Sequence, residues 1–224
     1  MNPEKRINVK TMVAMAMLSA IACVLMLTVQ FRYMPGNEFL VHDPKDIVIV
    51  IGGFLYGPLA VVAMSIIVAF VEMVTISLDG WVGFAMNFIS SCAFACPAAL
   101  IYKRYRSRAG ATIGLVAGWL FVTAIMLMWN YIITPVYRGF PREVVVPLLA
   151  TVFLPFNLIK YGIGAAVAML IYKPLSIALK KLKIIEEADT KPSLKQNIVI
   201  GVVLSVCFAA IPCVLLILVL RGVI

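Results

Sequence analysis

The chain has 224 residues, 63% of them hydrophobic and only 13% charged, with a formal net charge of +9. A soluble domain lies nearer ~45–50% apolar and ~25% charged, so this composition excludes an ordinary water-soluble globule. Runs of about twenty apolar residues recur along the chain, and the fold class they predict is an all-α polytopic membrane protein.

The first apolar run covers 11–30. It is too long for a cleaved signal peptide, and further spans follow it. Within it, Ala16 and Ala20 lie four residues apart and form a flat stripe of small residues. Such stripes let helices approach closely, either inside one bundle or from a second membrane subunit. The segment 31–45 follows, part of "FRYMPGNEFLVHDPKD", and mixes aromatic, charged and turn-forming residues that a plain tether would not need. Loops of this size are often functional.

The next runs, 46–57 and 58–77, meet at Tyr56-Gly57-Pro58. Proline cannot extend the preceding hydrogen-bond ladder, so a tight turn between two helices is expected there. The earlier run is short for a full span. The later one carries Glu72 towards its outer end.

The fourth run, 81–102, holds Asn87, and the fifth, 110–134, holds Asn130 near its outer part. A second long outer segment is expected at 135–147. The sixth run, 148–172, contains "LPFNLIK" at 154–160. Lys160 then lies roughly 13 Å down the helix axis. The stretch 180–196 reads as a solvated linker, and a seventh run occupies 197–220.

Lysine and arginine fix the expected orientation. With the N-terminus in the cytoplasm, thirteen of them fall inside and five outside, and Lys160 stands alone within a span. The positive balance is thereby explained without nucleic acid. The five cysteines, Cys23, Cys92, Cys96, Cys207 and Cys213, all lie in apolar runs and imply no disulfide framework. Cys92 and Cys96 are one turn apart, but zinc normally needs four ligands, so helix packing is the simpler reading.

A charge at membrane depth costs at least ~2.5–3.5 kcal/mol unless it is paired or faces water. Asn157 lies three residues before Lys160 on the same helical face. Pro155 loosens the backbone beside them. With Asn130, Asn87 and Glu72 these groups come from four helices, and convergence would create an outward-opening polar pocket. The plainer alternatives are interhelical hydrogen bonding by the asparagines and a structural Lys160–Glu72 pair. No P-loop motif is present, and the one histidine, His42, lies in a loop. A Ser-His-Asp engine or a histidine-based metal site is not expected.

Several pieces in order resemble the S-components, the substrate-binding membrane subunits of energy-coupling factor (ECF) vitamin transporters, and are most similar to the riboflavin-specific branch. They are "AMLSAIACVLML" in the first span, "FLVHDPKDI" with Asp43 and Asp46, "YGPLA" at 56–60, "NFISS" at 87–91, "WNY" at 129–131 and "LPFNLIK". Together they cover about 10–175.

The resemblance implies a six-helix bundle around one outward-facing vitamin site, with the first outer loop as its lid. It assigns Asn130, Asn157 and Lys160 to the ligand's polar groups and Leu40 with its neighbours to the ring. It assigns Ala16 and Ala20 to contact with a transmembrane coupling subunit, which works with two cytoplasmic ATPases. The expected arrangement is a six-helix membrane domain at 1–178, a cytoplasmic linker at 179–196 and a seventh transmembrane helix at 197–224.

The expected protein sits in a bacterial plasma membrane and captures a water-soluble vitamin, foremost riboflavin, through Asn130, Asn157, Lys160, Asn87, Glu72, Leu40, Asp43 and Asp46. It is not expected to be an enzyme, and no catalytic residue, metal or cofactor is expected. The alternatives are another vitamin or precursor, such as pyridoxine or a pyrimidine, and a lipid-modifying membrane enzyme built on Asp43, Asp46 and His42.

Overall fold

The structure, a computed structural model, describes residues 9–34, 40–181 and 221. Helix α1 runs Val9–Thr28, α2 Lys45–Tyr56, α3 Pro58–Thr75, α4 Gly80–Arg104 and α5 Arg108–Arg138. Helix α6, Arg142–Leu148, passes through a π-helical turn, Leu149–Phe153, directly into α7, Leu154–Lys181. These last three pieces form one continuous rod, so the described residues make six helical rods. Among the described residues, five rods are long and apolar enough to cross a membrane. The exception is α2, whose 12 residues reach only about 18 Å at 1.5 Å per residue.

The short helix lies at the centre. Its sequence, KDIVIVIGGFLY, is apolar on every face after the first two residues, and a helix of that kind must be buried all round. Residues Lys45–Phe54 are all buried. Helices α1, α3, α4 and α7 enclose it. The turn into α3 falls at Tyr56-Gly57-Pro58, as the sequence predicts. Gly57 adopts φ +90°, a conformation open to glycine, and Pro58 starts α3 where no N–H partner is needed.

The most extensive helix pair is α4 with α5. Gly114 and Gly118 make this approach possible. A Cβ on Gly114 would lie 2.8 Å from the Ala98 carbonyl oxygen, and one on Gly118 would collide with the Phe94 carbonyl. Trp119 of α5 then donates its indole N–H to the Leu158 carbonyl of α7 at 3.1 Å.

The described parts of the connection from α1 to α2, residues 29–34 and 40–44, fold back over one end of the bundle. Phe31 and His42 exchange both backbone hydrogen bonds at 2.9 Å, closing the loop at its base. Met34 and Leu40 from the loop pack with Val145, Phe153, Phe156 and Ile159 in a small apolar cluster separate from the main core. The loop is therefore seated on the α6–α7 rod, which fixes which residues lie beneath it.

Two boundaries differ from the sequence expectation. The outer segment 135–147 is not a long loop, because α5 continues through Pro135 to Arg138 and α6 begins at Arg142. A proline late in a helix removes one donor without stopping the chain's αR path, and the actual stop is Gly139 at φ +69°. The sixth rod consequently starts at 142 rather than 148, so Lys160 lies 18 residues along it, roughly 27 Å. Helix α7 also runs to Lys181, past the expected edge at 178. Most of the expected linker 179–196, and the apolar run 197–220, lie outside the described residues.

Candidate functional site

The α6–α7 rod carries two prolines near the loop end, Pro147 and Pro155. Pro155 offers no N–H, so the regular ladder cannot close there. The rod widens instead, and the Leu154 N–H reaches back five residues to the Leu149 carbonyl. Such widened turns recur at functional positions because they re-aim the side chains that follow. Asn157 and Lys160 come next, and both are buried inside the bundle.

A cavity of about 980 Å³ opens beside them. Its apolar lining includes Met26, Leu40, Met86, Met126 and Phe156. Its polar lining includes Asn87, Asn130, Asn157, Lys160, Asp43 and Glu72. Of the eight candidate ligand residues, seven therefore border one space. The eighth, Asp46, does not. Its carboxylate turns into the protein, accepts from the Ser91 hydroxyl at 2.5 Å and leaves Oδ2 without a hydrogen-bond partner among the described residues.

The two asparagines of α5 and α7 are held alike. Asn130 donates one amide N–H to the Met126 carbonyl at 2.7 Å and accepts from Thr134 at 3.0 Å. Asn157 donates one amide N–H to the Phe153 carbonyl at 2.7 Å. Each bond uses the carbonyl one turn back and so fixes the side chain. Each side chain keeps a second N–H and acceptor capacity for a solute.

Lys160 is 7% exposed. It donates to Asp43 Oδ2 at 3.2 Å and to the Val41 carbonyl at 3.3 Å. Both acceptors belong to the loop. Two of the three ammonium N–H groups thus tie α7 to the loop, and the third remains for the cavity. The considered Lys160–Glu72 pair does not form. Glu72 pairs with Lys45 instead, at 2.8 Å.

Sequence reasoning missed Lys45, which it counted as an outer-loop charge. Its side chain is 1% exposed and its Nζ lies 3.1 Å from Asp43 Oδ2. Asn87 Oδ1 is 3.3 Å from the same nitrogen. The available signal was a lone lysine at the head of a helix otherwise apolar on all sides. Burying the helix necessarily buries its first turn.

Asp43 consequently sits between two ammonium groups. Burial pushes its carboxyl towards the neutral form, but Lys160 and Lys45 outweigh that and hold its pKa below the ordinary carboxylate range. The neighbouring His42 is lowered to about 4, first by burial and then by Lys160, with Asp43 opposing. The imidazole is therefore neutral at pH 7, and its Nδ1 shares a hydrogen bond with the Tyr33 hydroxyl at 3.2 Å.

Along α1, Ala14, Leu18 and Ala22 face the core, whereas Ala16 and Ala20 are exposed. They share that open face with Met12, Met17, Ile21 and Val24.

The family model described as "ECF transporter, substrate-specific component" matches residues 10–172. The chain is 32% identical to the riboflavin transporter FmnP of Bacillus subtilis (strain 168) over 174 residues, covering 74% of this chain and 91% of the relative. It is 28% identical to the riboflavin transporter RibU of Staphylococcus aureus (strain TCH60) over 196 residues, covering 81% and 100%. A solved structure described as the S component of a bacterial ECF transporter superposes with a TM-score of 0.63 at 29% identity. It covers 76% of this chain and 98% of that one.

Proposed function

The chain belongs to the substrate-specific components of ECF transporters, and on that footing we propose that it captures riboflavin for ATP-driven uptake. The single observation that carries the ligand class is the cavity of about 980 Å³, which sets Asn130, Asn157 and Lys160 against apolar walls beneath the loop. Pockets for drug-sized molecules run to roughly 300–1,000 Å³, so a tricyclic ring and a polyol tail both fit. Two relatives carrying the riboflavin transporter name support the same ligand.

The chemistry matches at each end. An imide edge offers acceptor, donor and acceptor in a row. Two fixed amides and one ammonium N–H supply the complementary set. The methionine and phenylalanine side chains give the flat ring an apolar slot. With water excluded by the loop, each of these hydrogen bonds strengthens.

The loop end faces outward in this reading, and the N-terminus faces the cytoplasm. Lys160 then does two things. It holds the loop through Asp43 and Val41, and it offers its third N–H to the solute. Loop closure and ligand capture share one side chain. The partners are a transmembrane coupling subunit, met by the Ala16–Ala20 face, and two cytoplasmic ATPases that supply the energy.

The test is direct. Protein purified from cells should be yellow, quench flavin fluorescence on titration, and release riboflavin identifiable by mass spectrometry. Colourless protein that leaves added riboflavin fluorescence unchanged would refute the assignment.

A further inference from the structure

We infer that Lys45 is a positioning residue that fixes the hydrogen-bonding sense of the cavity wall formed by α3 and α4, so that Asn87 can meet a ligand only as a donor. The inference rests on the riboflavin reading for its assay ligand, and on geometry for everything else. Lys45 itself is 1% exposed and is not among the residues bordering the cavity. It acts through its neighbours. An ammonium has three N–H donors and no acceptor. Here it donates to Asp43 Oδ2 at 3.1 Å and to Asn87 Oδ1 at 3.3 Å, and it forms an ion pair with Glu72 Oε2 at 2.8 Å. These come from the loop, α3 and α4, and all three residues border the cavity.

The consequence lies in the amide of Asn87. An amide can present either its oxygen or its NH2 to a solute, and in an isolated side chain a half-turn interconverts them. With Lys45 behind it, the oxygen must face the ammonium. The NH2 group is the part turned to the cavity. Glu72 is fixed in the complementary sense, with Oε2 held by Lys45 and Oε1 available as an acceptor. The α3–α4 wall therefore sets a donor beside an acceptor. That pair suits a hydroxyl-bearing chain, since each hydroxyl both donates and accepts.

The test is a double-mutant cycle on the full-length chain, read as riboflavin affinity by flavin fluorescence quenching. Asn87→Ala in the otherwise unmodified chain should weaken binding about tenfold, the worth of one well-placed hydrogen bond. In a Lys45→Met background Asn87→Ala should add less than about twofold, because the amide has already lost its fixed sense. Should Lys45→Met alone fail to fold, the same cycle is run in Lys45→Met/Glu72→Gln, which withdraws one buried charge of each sign. A purely structural Lys45 would lower the melting temperature yet leave the Asn87→Ala factor the same in both backgrounds, and that result overturns the inference. An Asn87→Ala variant that binds as well as the unmodified chain overturns it too, while sparing the riboflavin reading. If the unmodified chain binds no riboflavin, both readings fall together.

Discussion

Lys160 Nζ lies 3.2 Å from Asp43 Oδ2, and the same oxygen lies 3.1 Å from Lys45 Nζ, so one carboxylate joins the loop to both α7 and α2. Removing one member of such a buried set leaves uncompensated charge, which costs more than the net worth of the contact. Asp43→Asn strips both lysines at once, whereas Lys160→Met strips Asp43 of one partner only. Asp43→Asn should therefore destabilise more, by about 3–5 kcal/mol. The Lys160→Met/Asp43→Asn pair should cost less than the sum of the two single changes. Thermal melts of the four proteins in detergent measure this, and strict additivity would mean that the contact carries no coupling.

Lys160→Met should also weaken riboflavin binding more than about 100-fold. It removes a ligand donor and loosens the loop together. Equilibrium titration of the folded variant is the measurement, and an unchanged dissociation constant would remove Lys160 from the site.

Acid should loosen the loop. His42 titrates near 6.5 in an unfolded chain and at about 4 where it is buried. Its native pKa is depressed, so its contribution is fully present above about pH 6.5. That contribution is lost as the pH falls towards 4, to a limit of about 3 kcal/mol. The groups facing it are Lys160, Asp43 and Tyr33. Protease cleavage in the loop should rise between pH 6.5 and pH 4 and stay flat from pH 7 to 8. His42→Phe keeps a ring against Phe31 and Tyr33 and should flatten the acid limb.

Ala16→Trp and Ala20→Trp place a large ring on an exposed face and should change stability by no more than about 0.5 kcal/mol. Riboflavin binding should survive. Co-purification with the coupling subunit should be lost, and transport with it. Uptake at the unmodified rate by either variant would assign that face to lipid.

Gly118→Ala should separate α4 from α5, because the new methyl meets the Phe94 carbonyl. Overpacking of this kind costs about 1–3 kcal/mol. The melting temperature should fall further than for Ala117→Gly next to it, a change at a half-buried position.

Much of this arrangement was legible in the sequence where the physics is local. The spans follow from runs of apolar residues, and the α2–α3 turn from Gly57 and Pro58. Asn157 and Lys160 stand out because polar groups at depth are costly. Non-local pairing was not legible. Glu72 pairs with a lysine 27 positions earlier rather than with Lys160, and nothing in the spacing of either residue encodes that. Asp46 looked equivalent to Asp43 in the D-x-x-D pattern, yet Asp43 lies in the loop before α2 whereas Asp46 belongs to the buried first turn of the helix, where it accepts from Ser91. The helix ends near Arg138 and Arg142 were misplaced because Pro135 and the charged residues around it read as loop. The backbone tolerates them, since a late proline forfeits only one donor.

The widened turn at Leu149–Phe153 has a consequence for how such a site can diversify. Each residue of helix adds about 100° of rotation. Losing or gaining one residue there would swing Asn157 and Lys160 around the rod as a unit, with neither altered. Recognition could thus be retuned by a length change in a greasy stretch that touches no solute, where a scan of side-chain replacements would never find the control.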